Sequence, residues 1–345
     1  MEHRRYLTLD AMRGVAAIAV FSMHAGPFLA PFIADDAFLA VDLFFLISGV
    51  IIDRVYGARI ANGLTTIRFF INRFARFYPL YITGTAVGCF GAFISLALGQ
   101  GTLDIKNYIV VLLTSIFMLP SPTESVDSFA FPFNYATWSL FFELVINIAF
   151  VAIYRWLNPR VLITIAFLSA LIFSAAAISA GTVSVGAEWD HFWAGFPRVT
   201  FSFATGVIIS RININLKIVT QWSYMLALLP VILFFTNDGI YFNLFKVIIL
   251  FPGLVFIALI FEPASNTDKA KPAMLLGAIS YPLYVIHVPI MQFVERACTL
   301  FGINRQDYAP IGGLALGVVI CVISLFLFHV DEKIQFKLKK VINTV

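Results

Sequence analysis

The sequence predicts an all-α polytopic membrane protein with about ten transmembrane helices and one re-entrant or short segment. Three observations predict it. Hydrophobic residues make up 60% of the 345-residue chain, against roughly half in soluble proteins. Charged residues make up 12%, about half the usual share. The apolar residues also fall into runs close to the ~20 residues that cross ~30 Å of hydrocarbon. Phe alone occurs 37 times, and a soluble globule has too little polar surface to cover that much apolar side chain. Collagen, coiled coil, a disordered chain and a soluble nucleic-acid binder are excluded at the same step. The lipid bilayer is therefore an expected partner and nucleic acid is not.

The runs, in order, are Leu7–Ala30, Ala37–Ile52, Phe77–Leu98, Tyr108–Leu119, Ala136–Trp156, Val161–Ala180, Phe192–Ile209, Val219–Phe235, Phe242–Phe261, Ala273–Val294 and Pro310–Val330. Tyr108–Leu119 is too short to cross and reads as re-entrant or interfacial. The first run follows His3-Arg4-Arg5, as a signal peptide would. Asp10 and Arg13 interrupt its start and no small-residue cleavage site follows, so it reads as a span.

Positive charge orients the runs. Arg54, Arg59, Arg68, Arg73 and Arg76 fill 53–76; Arg155 and Arg160, Arg211 and Lys217, and Lys269 and Lys271 mark later loops. Arg4 and Arg5 precede the first run, and Lys333, Lys337, Lys339 and Lys340 lie in a short basic tail at about 331–345. The rule places all of these in the cytoplasm. The loops between them are acidic or neutral, with Glu124 and Asp127, Glu188 and Asp190, and Asp238. Eleven crossings would put Arg155, Arg160 and the tail outside. Ten crossings, with Tyr108–Leu119 not spanning, satisfy every loop except the nearly balanced Ala297–Asp307. The expectation is one membrane domain, 1–345, in the plasma (inner) membrane with both termini cytoplasmic. Cys89, Cys298 and Cys321 sit in apolar runs without a CxxC or Cys/His cluster, so neither a disulfide framework nor a metal site is expected.

Ionisable groups in hydrocarbon cost at least a few kcal/mol and usually face a cavity or a partner. Those inside the runs are Asp10, Arg13, His24, Asp42, Glu143, Arg198 and His287. Arg13 and His24 are eleven residues apart, about three turns, so both project from one face roughly 16 Å apart along the axis. Asp10 lies one turn before Arg13 on the same side. Counted from the outer ends of their runs, His24, Asp42, Glu143 and Arg198 reach similar depth. A structural Glu143–Arg198 ion pair is one reading. The other is a His–carboxylate pair, His24 with Asp42, in which the carboxylate fixes the tautomer of a general base. Arg68, Arg73 and Arg76 mark a cytoplasmic end, and Arg73 and Arg76 share a helical face. They read either as a topology signal or as a cradle for a phosphorylated cytosolic ligand, since guanidinium pairs bidentately with phosphate.

These segments resemble the membrane acyltransferase-3 family, whose members O-acylate carbohydrates and related acceptors. Leu9-Asp10-Ala11-Met12-Arg13-Gly14 with His24 is similar to its first-span signature, and Val41-Asp42-Leu43-Phe44-Phe45-Leu46-Ile47-Ser48-Gly49 to its second-span motif. Phe70-Ile71-Asn72-Arg73-Phe74-Ala75-Arg76-Phe77-Tyr78-Pro79-Leu80-Tyr81 resembles its arginine-rich motif. Thr137-Trp138-Ser139-Leu140-Phe141-Phe142-Glu143 and Gly277-Ala278-Ile279-Ser280-Tyr281-Pro282-Leu283-Tyr284-Val285-Ile286-His287 resemble two later elements, in the family's order. Leu144 departs from the pattern, which implies a second polar or acidic group there, so a role needing adjacent carboxylates is not expected. No esterase-like extension follows the last run, so a two-domain relay of the acyl group within the chain is not expected either.

With the resemblance, the residues imply an enzyme that takes an acyl group, acetyl by preference, from cytosolic acyl-CoA to a hydroxyl of a carbohydrate or cell-surface glycan. No cofactor would be bound permanently, and acyl-CoA would be a co-substrate. Arg68, Arg73 and Arg76, with Asp10 and Tyr78, would hold the acyl-CoA. His24 would be general base or acyl carrier, with Arg13, Asp42 and Glu143 in the catalytic group. Trp138, Arg198, Ser280, Tyr284 and His287 would shape the acceptor side. The alternative is a transporter or flippase for a glycan or lipid-linked substrate, which would also carry midplane ionisable residues. The chain lacks the paired Gly/Pro-interrupted halves common in such proteins.

Overall fold

A computed structural model describes residues 6–99, 103–122, 128–214, 216, 218–220, 222–263 and 270–344. Arg4, Arg5, Glu124, Asp127, Lys217 and Lys269, whose charges enter the topology argument, lie outside the described residues. The chain is an all-α membrane protein. Its helices are α1 Leu7–Ala25, α2 Ala40–Ala61, α3 Thr66–Ala97, α4 Ile105–Ile116, α5 Trp138–Ile153, α6 Pro159–Ala180, α7 Gly195–Arg211, α8 Ser223–Phe234, α9 Ile240–Phe245, α10 Phe251–Ile260, α11 Lys271–Leu300 and α12 Ile311–Thr344. A π-helical turn, Lys246–Leu250, joins α9 to α10. Two short strands, β1 Ile218–Val219 and β2 Phe261–Glu262, pair in parallel with Ile218 opposite Phe261.

Among the described residues, seven segments are long and apolar enough to span: those of α3, α5, α6, α7, α9–α10, α11 and α12. Helices α1 and α2 have the length, 19 and 22 residues, and turn their polar residues inward. On their outer faces α6 and α12 expose Ile163, Phe167 and Leu171, and Val318, Val322 and Phe326. Such stripes suit lipid and not water.

Several helices outrun their apolar segments. Helix α3 starts at Thr66 rather than Phe77, because Thr65 caps it by accepting from the Arg68 backbone N–H. Helix α2 runs past Ile52 to Ala61, and α12 carries the basic tail to Thr344 as one continuous helix. The opposite happens at Val219–Phe235, whose helix is only Ser223–Phe234 because its first residue pairs in β1.

The two most extensive helix contacts are α1 with α11 and α2 with α7. Both rest on glycines that let backbones meet. A Cβ on Gly206 would stand 2.1 Å from the Leu46 carbonyl oxygen, and one on Gly14 would stand 2.5 Å from that of Leu276. Along α2 and α7 the partners Asp42–Arg198, Gly49–Phe203 and Asp53–Arg211 advance together, so the helices are parallel. Gly14–Leu276 and His24–His287 show the same for α1 and α11. Successive crossings alternate in direction. Parallel α2 and α7 therefore require an even number of steps between them, which holds only when α4 does not cross. Length does not separate α4 from α8, since each has 12 residues; parity does, because parallel α1 and α11 require α8 to count as a crossing.

Prolines inside the spans release carbonyls that lipid cannot satisfy. Pro289 frees the Val285 carbonyl, and Asn134 Nδ2 donates to it at 2.7 Å. Pro79 frees the Ala75 carbonyl, and Gln335 Nε2 from α12 donates to it at 2.8 Å. At the π turn, the fully buried Lys246 donates to Asp36 at 2.6 Å, to Thr236 at 2.6 Å and to Asn243 at 3.0 Å. It also forms an ion pair with Asp238 at 2.7 Å, and the Lys246 ammonium holds the Asp238 carboxyl below its usual range.

Candidate active site

Two cavities lie along the packed helices α1, α2, α5 and α11. The first, of about 130 Å³, is lined by Arg13, Ser48, Arg73, Arg76, Glu143 and Ser280, among others. The second, of about 290 Å³, is lined by His24, Phe129, Tyr135, Trp138, Glu188 and their neighbours. Arg13 and His24 belong to one helix and lie eleven residues apart, so the cavities sit at different depths along α1. Tyr284 lines both. Its hydroxyl donates to the Ala136 carbonyl at 3.0 Å and lies 2.8 Å from Ser139 Oγ, with the Phe44 ring edge-on at 5.5 Å.

The arginine cavity draws on five helices, α1, α2, α3, α5 and α11. Arg73 and Arg76, one turn apart on α3, face it together with Arg13 of α1. Arg73 Nη2 donates to Glu143 Oε1 at 3.2 Å, and Ser48 Oγ donates to the same oxygen at 2.7 Å. The Arg73 guanidinium lies 4.5 Å over the Phe77 ring, and its buried Nε–H has no hydrogen-bond acceptor in the protein. A buried cationic donor left without an acceptor is costly, and it leaves one Arg73 N–H able to meet a further acceptor. Arg76 Nη1 donates to Asp331 of α12 at 2.6 Å.

The histidine cavity is built differently. His24, at the end of α1, places Nδ1 2.9 Å from His287 Nε2, and His287 Nδ1 lies 3.1 Å from the Leu283 carbonyl one turn back on α11. His287 is wholly buried. Tyr135 meets the His24 ring edge-on at 5.3 Å and stacks on Phe129 at 4.6 Å. Residues 128–130 and 187–189 form an antiparallel bridge that supports this wall. In it the Ala130 N–H donates to the Ala187 carbonyl and the Trp189 N–H to that of Ser128.

The structure redistributes the residues expected at the site. Asp42 was expected beside His24, and instead accepts from Arg198: Nε at 3.0 and 3.2 Å, Nη2 at 2.7 Å. The reason is azimuth: the face of α2 that carries Asp42 is the one packed on α7, whereas α1 packs on α11. Arg198 spends its other donors on the Val185 and Phe38 carbonyls. Both partners are 1% exposed, and Arg198 lines neither cavity. The alternative Glu143–Arg198 pair fails for the same reason, since Glu143 faces the arginine cavity. Arg68 sits in the first turn of α3, outside the lining. Tyr78 turns toward α4, where its hydroxyl donates to the Ile116 carbonyl at 3.0 Å. Asp10 packs on Gly277 and is not in the lining either. Ser280, expected on the acceptor side, lines the arginine cavity. Trp138 lines the histidine cavity, with the Arg198 guanidinium 5.5 Å over its ring. Sequence reasoning did not single out Tyr135 or Phe129, and it used Glu188 only as a loop charge; all three lie in or beside loops without a helical period. Nor did it single out Ser48, although it stands inside the second-span motif.

The profile of the family described as "Acyltransferase domain", acyltransferase-3, matches residues 6–330. The chain belongs to the acyltransferase-3 family. It is therefore an acyltransferase of the membrane-embedded type. Protein 2 in the picA locus of Rhizobium radiobacter is 35% identical over 161 residues, 44% of this chain and 82% of that protein. The peptidoglycan O-acetyltransferase OatA of Listeria monocytogenes is 26% identical over 327 residues, 84% of this chain and 50% of OatA. The chain thus spans half the length of OatA. No solved structure matches it.

Proposed function

We propose that the protein transfers an acyl group, acetyl by preference, from cytosolic acyl-CoA to a hydroxyl of a cell-surface carbohydrate. The observation that carries this reading is the pair of cavities of opposite chemistry sharing Tyr284. One presents three guanidiniums at the end that the positive-inside rule assigns to the cytoplasm. The other presents an imidazole among aromatic and polar side chains, a lining that suits a sugar. In this reading the CoA phosphates bind Arg13, Arg73 and Arg76, and the thioester arm extends past Tyr284 toward His24. His24 takes the acceptor hydroxyl proton as the oxygen attacks the acyl carbon. The carbon–sulfur bond breaks, and the proton passes to the departing thiolate. A covalent variant, in which His24 first carries the acyl group itself, uses the same cavity. The similarity to OatA favours a glycan acceptor such as a peptidoglycan sugar.

The test is release of free CoA thiol from acetyl-CoA by the purified full chain with peptidoglycan fragments supplied as the hydroxyl acceptor. Arg73→Ala should raise the KM for acetyl-CoA, because it removes the cation with the unmet donor. His24→Gln should abolish turnover, since a general base supplies about 10²–10⁴-fold. No thiol release by the wild type, or wild-type turnover in His24→Gln, would overturn the proposal. Comparing cell-surface glycans by mass spectrometry with and without the protein identifies the acceptor.

A further inference from the structure

We propose that His287 is the positioning residue that holds neutral His24 in its Nδ1–H tautomer, so that Nε2 is the atom that acts as base or nucleophile. The proposal rests on the acyltransfer reading for its consequence, but its geometry stands alone. A backbone carbonyl oxygen only accepts, so His287 Nδ1, 3.1 Å from the Leu283 carbonyl, must carry the hydrogen. A neutral imidazole has one N–H, which leaves His287 Nε2 as an acceptor. That nitrogen lies 2.9 Å from His24 Nδ1. Two lone pairs facing at this distance repel, so His24 Nδ1 must be the donor. The lone pair of neutral His24 then resides on Nε2, on a ring that lines the outer cavity. The chain of donors runs one way, from His24 through His287 to the α11 backbone.

The role usually given to a carboxylate beside a catalytic histidine is here taken by a second imidazole anchored to a main-chain dipole. Asp42 is unavailable for it, being consumed by Arg198. When His24 Nε2 accepts the proton of the acceptor hydroxyl, Nδ1–H keeps donating to His287 and nothing else has to turn over. Because the tie runs between parallel α1 and α11, it also fixes the ring plane.

Two measurements test this on the full chain in detergent. The first is 15N NMR of histidine-labelled protein at a pH where His24 is neutral, with the His24 signal assigned by its loss in His24→Gln. The expected result is a protonated Nδ1 and a bare Nε2 on His24. In His287→Phe, which fills the space without an acceptor, the Nε2–H tautomer should gain population. A bare Nδ1 on His24 in the wild type overturns the proposal, as does an unchanged tautomer in His287→Phe. The second is the acetyl-CoA thiol-release assay. His287→Phe should lower kcat roughly 10²-fold, as a misaligned base does, with the KM for acetyl-CoA unchanged because the arginine cavity is untouched. His287→Gln, whose amide oxygen can accept from His24, should recover part of that loss. Equal loss in His287→Phe and His287→Gln would show a packing role and overturn the proposal. If the wild type releases no thiol, the acyltransfer reading fails, while the NMR result still decides the tautomer.

Discussion

Asp42 provides the sharpest test of how the site is assembled, because the sequence and the structure assign it different work. In the structure its carboxylate and the Arg198 guanidinium are each 1% exposed and joined by three contacts of 2.7–3.2 Å. Asp42→Ala would leave Arg198 with two carbonyl acceptors, those of Val185 and Phe38. Carbonyl dipoles satisfy donors but do not neutralise a buried charge. Removing one partner of a buried pair costs about 3–5 kcal/mol. The retained carbonyls place this case near the lower end, at about 3 kcal/mol. The assay is unfolding in detergent for Asp42→Leu, Arg198→Leu and the double variant. Each single variant should lose about 3 kcal/mol, and the double variant much less than the sum, because it buries no lone charge. Asp42→Asn should act chiefly through stability, with the surviving folded fraction releasing thiol at near wild-type kcat. Full stability in Asp42→Asn with a large fall in kcat would refute this and return Asp42 to the side of His24.

Gly206→Val should abolish folded yield, because its Cβ would stand 2.1 Å from the Leu46 carbonyl, whereas Gly253→Ala, with nothing within 4 Å, should stabilise α10 by up to about 1 kcal/mol, both read by size-exclusion recovery and thermal unfolding. Gln335→Ala should cost about 1 kcal/mol by stripping the Ala75 carbonyl of its donor, whereas Gln335→Glu, which cannot donate when ionised, should not restore it. Asp238, whose folded pKa is lowered by Lys246, favours the folded state above the ordinary carboxylate pKa of about 3.9, and this contribution disappears as pH falls through the folded value. Asp238→Asn should therefore flatten the acid limb of a stability-versus-pH curve. Cysteines placed at 181–191 should label from outside and those at 53–76 only after permeabilisation; labelling of both from the same side would contradict the crossing count.

The sequence was legible where one physical signal dominates. Hydrocarbon demands long apolar runs, so nearly every helix could be located. Charge demands cytoplasm, so the failure of α4 to cross could be read from loop arginines before parallel α2 and α7 required it. Helix ends were less legible. The extensions of α2, α3 and α12 lie beyond the apolar runs and are held by a cap and by contacts such as Gln335 with Ala75. Depth along each run brought His24, Asp42, Glu143 and Arg198 to one level, but depth says nothing about azimuth. Which of them met depended on α2 packing on α7 and α1 on α11, and so on the glycines of those seams. The His24–His287 contact was out of reach for the same reason. It joins residues 263 positions apart, through a helix pairing that no local pattern announces.

The wall opposite His24 is made largely of loop. Phe129, Ser184, Ala187 and Glu188 come from the two segments joined at the Phe129–Glu188 bridge, and Tyr135 comes from the short turn before α5. The imidazole and its partner belong to helices locked backbone against backbone, where almost any substitution is punished. Heredity therefore meets two very different materials within one cavity. Mutations can rework the loop wall residue by residue, changing the shape of the cavity, without disturbing the helix seam that holds His24 against His287. Descendants of such a protein can diverge in the loop wall while the His24–His287 pair stays fixed.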